Sequence, residues 1–300
     1  MTDAPSRPAT RGGQERGRLR VVVTADDFGV SHGLNEAVAR LHRAGRIRRT
    51  AVRIDGLALD HGLALLRDLP ELDLSLHLNL TEGRPLSPPE RVPLLIDDEG
   101  RYRRSVAGYL RDLAQPASTA RRQLLHQIDR ELQTQADRAA DLGLGVQGVD
   151  GNQHVHLVPG IFERTAALAA RHGWPRIRIP HEPLHASLDP RDLVHAAHHL
   201  GPVKHLLLRH LARRARPVAR RHGRRWEDAF VGVLFTGRMS PRLLDGALRR
   251  LERRGVETVE ALFHPADIDD PRDAPLRAKV CPYYFHRDRR RERDRLAARD

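Results

Sequence analysis

Cysteine is almost missing from this sequence. Cys281 is the single one in 300 residues, so no disulfide can form within the chain, and a cytoplasmic setting is the simplest expectation. Long apolar runs are missing as well. No stretch approaches the roughly 20 consecutive apolar residues of a membrane-spanning helix. The opening MTDAPSRPATRGGQERGRLR contains no apolar core of a secretory signal. Aromatic residues make up only 4% of the chain, and lysine is confined to Lys204 and Lys279. The formal net charge of +13 is therefore an arginine charge, which raises the question of nucleic acid. Much of it sits at the two ends and in RHLARRARPVARRHGRR, residues 209–225, with no aromatics interleaved to stack on bases. A solvated, arginine-biased surface is the plainer reading, and no specific nucleic-acid partner is expected.

What is present is a globular balance of 40% hydrophobic and 30% charged residues, enough chain for one large domain. Residues 1–17 read as a disordered basic arm, 18–285 as the folded domain, and 286–300 as an Arg-rich tail. Residues 84–105 also read as loosely ordered. Strand-like and helix-like segments alternate. LRVVVTA precedes a helical stretch with Leu34, Val38 and Leu41 on one face. DLSLHLNL alternates, with Leu72 to Leu80 on one face and Asp73, Ser75, His77 and Asn79 on the other. Residues 115–142 read as a long helix, GVQGVDGNQHVHL as strand and loop, PRIRIP as a strand, and AFVGVLFTG and VETVEALFHPAD as the last strands. This order predicts a mainly parallel sheet with helices outside.

In such sheets the chemistry collects at the C-terminal ends of the strands. Asp26 and Asp27 end the first strand, and His77 lies near the end of DLSLHLNL. Asp150, Asn152, His154 and His156 follow GVQGV. Arg178 lies in RIRIP with Glu182 just after, and His264 closes VEALFHP. Any one of them alone reads as a cap or a hydrogen-bonded core residue. Together they form an oxygen- and nitrogen-rich set without thiolate, suited to a divalent metal such as Zn, Mg, Mn or Co. A metal also accounts for two adjacent carboxylates at a strand end. One binds the cation, and the other is free to deprotonate a metal-bound water. His195, His198, His199, His205 and His210 have no accompanying carboxylate and read as a partly solvated helix face.

VVVTADDFGVSHGLNEAV, LSLHLNLTEGRPL, VDGNQHVHLVPGIF, RIRIPHEP and EALFHPAD, in this order, resemble the YdjC-like carbohydrate deacetylases, which include chito-oligosaccharide deacetylases and the hopanoid-biosynthesis-associated (HpnK) proteins. EGRPLSPPERVPLLIDDEGRY and FVGVLFTGRMS look closer to the latter branch. The resemblance implies an irregular (β/α) TIM-like barrel of a single domain. It implies a metal-dependent hydrolase that removes acetyl groups from an N-acetylated sugar or glycolipid head group. On matching positions it implies Asp27 and His77 as metal ligands, Asp26 as general base, Arg178 as the residue that orients or tunes it, and His264 as general acid. The usual third ligand is a histidine, and here Asn152 holds its place, with His154 as the alternative. Asp150, His154, His156 and Glu182 are expected to bind substrate or support the ligands. One divalent ion, Mg or Zn, is the expected cofactor, and a homodimer is expected on general frequency alone. Two rival readings remain: a sugar-binding protein of the same fold without turnover, and a nucleic-acid-binding protein argued from charge.

Overall fold

The computed structural model describes residues 19–184 and 201–298. The arm expected over residues 1–17 lies outside them, as do His195, His198 and His199.

Seven strands form one sheet: β1 (Arg20–Phe28), β2 (Arg49–Val52), β3 (Asp73–Leu78), β4 (Val146–Gly151), β5 (Arg176–Ile177), β6 (Ala229–Val231) and β7 (Thr258–Phe263). Their order is β5–β4–β3–β2–β1–β7–β6, and every pairing is parallel. Helices α1 (His32–Arg43), α2 (Leu59–Leu66), α3 (Val106–Leu113), α4 (Thr119–Asp141), α5 (Ile161–Arg171), α6 (Gly201–Arg221) and α7 (Pro241–Glu252) fall between strands, and α8 (Arg287–Ala297) follows the last one. Parallel strands need such crossovers, and the helices they bring cover the sheet. The expected barrel is thus met by an open, curled half-barrel. Its edges β5 and β6 are two and three residues long, and Arg225, just before β6, touches β5 through a bridge to Arg176.

Local sequence sets the elements. The β-branched run Val21–Thr24 favours β1. Ser31 caps α1, its Oγ accepting from the Leu34 N–H at 3.3 Å, and the apolar positions Leu34, Val38 and Leu41 are buried against the sheet. Ser118 and Ser240 cap α4 and α7 in the same way. On β3 the two faces read from the sequence are both buried, leucines outward against helices and Ser75 and His77 into the half-barrel.

Three expectations are corrected. AFVGVLFTG is a strand only as far as Val231, because Gly232 takes φ +133° and the chain turns so that the N–H groups of Val233 and Leu234 reach the Glu182 carboxylate at 2.9 and 3.0 Å. Residues 84–105 are a packed loop rather than a loose one. The buried carboxylate of Glu131 on α4 accepts from the Leu86 and Ser87 N–H groups and from the Tyr102 hydroxyl at 2.8–3.0 Å. Val92 and Leu95 are buried beneath that loop. The Arg-rich segment read as a tail is the ordered helix α8, with Arg289, Glu292 and Leu296 buried.

Candidate active site

The first strand carries its two carboxylates through a β-bulge. Ala25 pairs with Thr50 and Phe28 with Val52, so β1 has one residue more than β2 over this stretch. Asp27 sits in the extra turn with φ +72°, a conformation rare for a residue with a side chain. In a regular strand neighbours alternate faces. The bulge instead lets Asp26 and Asp27 line one cavity of about 190 Å³, together with His77, Asn152, His154 and His264.

Register then brings acid and base together. β3 and β4 place His77 beside Asp150, and His77 Nδ1 lies 2.5 Å from Asp150 Oδ1. Nε2 on the other side of the ring lies 3.5 Å from Asp27 Oδ1. Arg178, from the end of β5, grips Asp26 with both amino groups at 2.8 Å. It also reaches Asp150 at 3.0 Å and Glu260 at 2.8 Å. All six side chains are buried. Burial pushes the Asp26 carboxyl upward, although Arg178 and His77 pull the other way. Burial also works against charge on Asp27 and on Asp150. There Arg289 wins for Asp27 and Arg178 for Asp150, and both carboxyls lie below the usual range. Burial disfavours a charged His77, but Asp150 and Asp26 outweigh it and raise its pKa.

The segment after β4 is a tight turn in which Gln153 and His154 both have positive φ, 52° and 60°. The Asn152 amide donates to Thr81 Oγ1 at 3.1 Å. The His154 ring stands edge-on to Phe230 with Nδ1 buried and, among the described residues, without a hydrogen-bond partner. Burial, then Lys204, keeps that ring neutral by holding its pKa well down. His156 turns away from the cavity and anchors the backbone carbonyl of Arg178 at 3.0 Å. Burial pushes its pKa down to about 4. Glu182 likewise does not line the cavity; it holds the turn after β6 and accepts on its backbone from His205 at 2.8 Å. His156 thus supports Arg178, and Glu182 supports the neighbouring loop.

His264, at the end of β7, lines the opposite wall. Burial, then Arg289, pushes its pKa down to about 3, so the ring is neutral near pH 7. Its backbone N–H donates to Glu292 at 2.6 Å.

The C-terminal segment completes the cavity. Cys281, Tyr283, Tyr284 and Arg289 line it. Tyr284 donates to Glu82 at 2.7 Å, on the loop after β3. Arg289 donates to Asp27 Oδ2 at 2.7 Å. Reasoning from the sequence missed these residues. The available signals were three consecutive aromatics, Tyr283–Phe285, in an aromatic-poor chain, and the helical spacing of Arg289, Glu292 and Leu296 within a charged run. A larger cavity of about 860 Å³ opens at the other, N-terminal end of the strands. Arginine–carboxylate pairs such as Arg49 with Asp73 and Glu227 line it, and the catalytic-type cluster is not there.

Two sets of side chains could hold a cation. Asp26, His77 and Asp150 offer ligand atoms within 4.8 Å of one another, but Arg178 and His77 already occupy their carboxylate oxygens. Asp27 Oδ1 and His77 Nε2 face each other and have no hydrogen-bond partner among the described residues. Their 3.5 Å separation is close to what two ligands at about 2.1 Å from one tetrahedral ion keep. Asp150 on the far nitrogen of His77 is the usual support of a metal-binding imidazole.

A family model described as YdjC-like protein matches residues 20–300. The chain is 32% identical to a carbohydrate deacetylase of Mus musculus over 257 residues, covering 83% of this chain and 78% of that protein. It is 29% identical to a chitooligosaccharide deacetylase of Serratia marcescens, covering 87% and 86%. A crystal structure from Enterococcus faecalis V583, assigned to cellobiose-phosphate cleavage, superposes with a TM-score of 0.67 at 18% identity, covering 94% of this chain and 92% of that one. At that identity it shows the shared fold. With the family's model running through the bulged carboxylate pair, the His77 strand and the C-terminal helix alike, the chain belongs to the YdjC-like protein family.

Proposed function

We propose that this chain is a divalent-metal-dependent carbohydrate deacetylase, hydrolysing the acetamide of an N-acetylated sugar to acetate and the free amine. Deacetylase relatives at 29–32% identity over most of the chain support the reaction class. The observation that carries the metal is His77, clamped by Asp150 on one nitrogen and facing Asp27 with the other.

The donor set fits a hard or borderline ion such as Mg or Zn. Asp27 and His77 would hold it, with Asn152 through its amide oxygen as third ligand or His154 through its unpartnered nitrogen. When bound, the ion lowers the pKa of a water and polarises the acyl oxygen. The remaining work belongs to the chain. Asp26, its pKa raised by burial, takes the water's proton as general base. Arg178 fixes that carboxylate in one orientation. His264 is neutral at rest and faces the leaving nitrogen, so it delivers a proton only after the site has taken one from the water. N-acetylglucosamine compounds are the substrates of choice. A glycolipid head group is the finer alternative, in a cytoplasmic setting. Among the described residues no helix is long and apolar enough to cross a membrane.

Metal binding tests the site first. Asp27→Ala and His77→Ala each remove a ligand and abolish binding in calorimetric titration of Zn and Mg; full occupancy in either variant overturns the assignment. Acetate release from N-acetylglucosamine oligomers tests the reaction.

Asn152 favours a second reading, sugar binding without turnover, because a neutral amide is a weaker ligand than the family's histidine. Asn152→His separates the possibilities. With Asn152 as third ligand, the substitution raises Zn affinity and raises acetate release. With His154 as ligand, the added imidazole crowds the site, and affinity is flat or lower. Unchanged affinity in Asn152→Ala together with metal loss in His154→Ala moves the third ligand to His154.

A further inference from the structure

We propose that Arg289 is a catalytic residue, its Nη1 amino group donating to the acyl oxygen of the bound acetamide and to the oxyanion that this oxygen becomes. The proposal rests on the deacetylase reading above.

The guanidinium is fixed in place. Its central carbon lies 4.6 Å from the Tyr283 ring centre and 4.8 Å from that of Tyr284, and Nε donates to the Tyr283 carbonyl at 3.1 Å. Nη2 donates to Asp27 Oδ2 at 2.7 Å. Arginine does not lose its charge in a protein, and a planar group held on two aromatic faces has little freedom to turn.

The same group has donors to spare. Nη1 is buried with no hydrogen-bond partner among the described residues, although Arg289 is only 1% exposed. Buried N–H groups on a cation are costly without an acceptor. Arg289 lines the cavity that holds Asp26, Asp27, His77 and His264, so the missing acceptor is an oxygen bound in that cavity. Asp27 is itself already satisfied on the Arg289 side through Oδ2, which leaves Oδ1 toward His77. The acceptor that enters next to Asp27 during the reaction is the acyl oxygen.

The step balances without a further reagent. Water oxygen adds to the acyl carbon while Asp26 takes one water proton, and the C=O π pair moves to oxygen. Arg289 donates to that oxyanion and keeps its protons. As the C–N bond breaks, the pair returns to re-form C=O, and nitrogen leaves with the proton the site had taken. Donors placed where charge develops lower the barrier because they need no rearrangement at that moment.

The test uses the full chain, acetate release from N-acetylglucosamine oligomers, metal content and melting temperature. Arg289→Lys keeps the charge and loses the planar fork. It is expected to lower kcat by roughly 10²-fold, the usual cost of one oxyanion donor, with metal content retained and KM little changed. Arg289→Ala leaves a slot between the two tyrosines, and guanidinium ion at millimolar concentration restores part of its turnover while methylammonium does not. Arg289→Lys turning over at the wild-type rate overturns the proposal. So does metal loss in Arg289→Lys, which would make the residue a support for Asp27 alone; this variant decides if Arg289→Ala does not fold. Absence of acetate release from the wild-type chain fells the deacetylase reading and this proposal with it, whereas wild-type release with an unimpaired Arg289→Lys fells this proposal only.

Discussion

Asp26→Asn lowers acetate release by about 10²- to 10⁴-fold and leaves metal binding nearly intact. The loss is the range expected for a general base. The asparagine keeps the shape of the side chain, and Arg178 retains Asp150 and Glu260 as partners, so the scaffold stays in place. Both Asp26 oxygens are on Arg178, whereas Asp27 Oδ1 faces His77 Nε2. Wild-type activity declines on the acid side with a midpoint above the free aspartate value of 3.8, since burial raises this carboxyl and the base works only when ionised. The Asn variant loses that acid limb along with its turnover. Loss of metal in Asp26→Asn, measured by elemental analysis, would show that the two adjacent aspartates exchange roles.

Deleting residues 286–300 unfolds the domain or leaves it far below the stability of the full chain. An arginine-rich terminus carries few apolar anchors, and composition alone predicts a small effect. The structure reverses the expectation. Glu292 accepts the backbone N–H of Met239 at 3.1 Å and that of His264 at 2.6 Å, tying the end of β7 to the turn before α7. Arg289 neutralises Asp27, and Leu296 is 1% exposed. The single substitution Glu292→Ala leaves the buried N–H of Met239 and the part-buried N–H of His264 without their acceptor, at about 1–3 kcal/mol each. A loss of about 3 kcal/mol lowers the melting temperature by roughly 6–12 °C in a domain of this size. A shift below about 2 °C would show that water replaces the carboxylate at no cost.

The residues visible in the sequence were those whose position follows from strand periodicity. His77 on the polar side of an alternating strand, Asp150 after GVQGV and Arg178 in RIRIP all lie where parallel strands end, and the fold brings them within hydrogen-bonding distance. What could not be read depends on long-range pairing. His156 and Glu182 read from the sequence as residues that bind substrate or support the ligands, and only the fold shows the Arg178 carbonyl and the β6 turn as their partners. Arg289 and Glu292 were hidden in a charged run because charge pairing inside a core leaves no hydrophobic period. The open half-barrel was also invisible, since nothing in RIRIP says that its strand ends after two residues.

That open edge sets how the molecule breathes. β1 lies inside the sheet with a ladder of six residue pairs to β7, whereas β5 and β6 end it with ladders of two and three residue pairs. Amide exchange is therefore graded across the sheet, slowest in β1 and β7 and fastest in the edge strands β5 and β6. The carboxylates of β1 ride on the part that opens only when the whole domain unfolds. The wall formed by α6 and the turn at Asn152–Leu157 belongs to the part that opens first. One chain thus keeps the two carboxylates of β1 still while the edge of its sheet remains compliant.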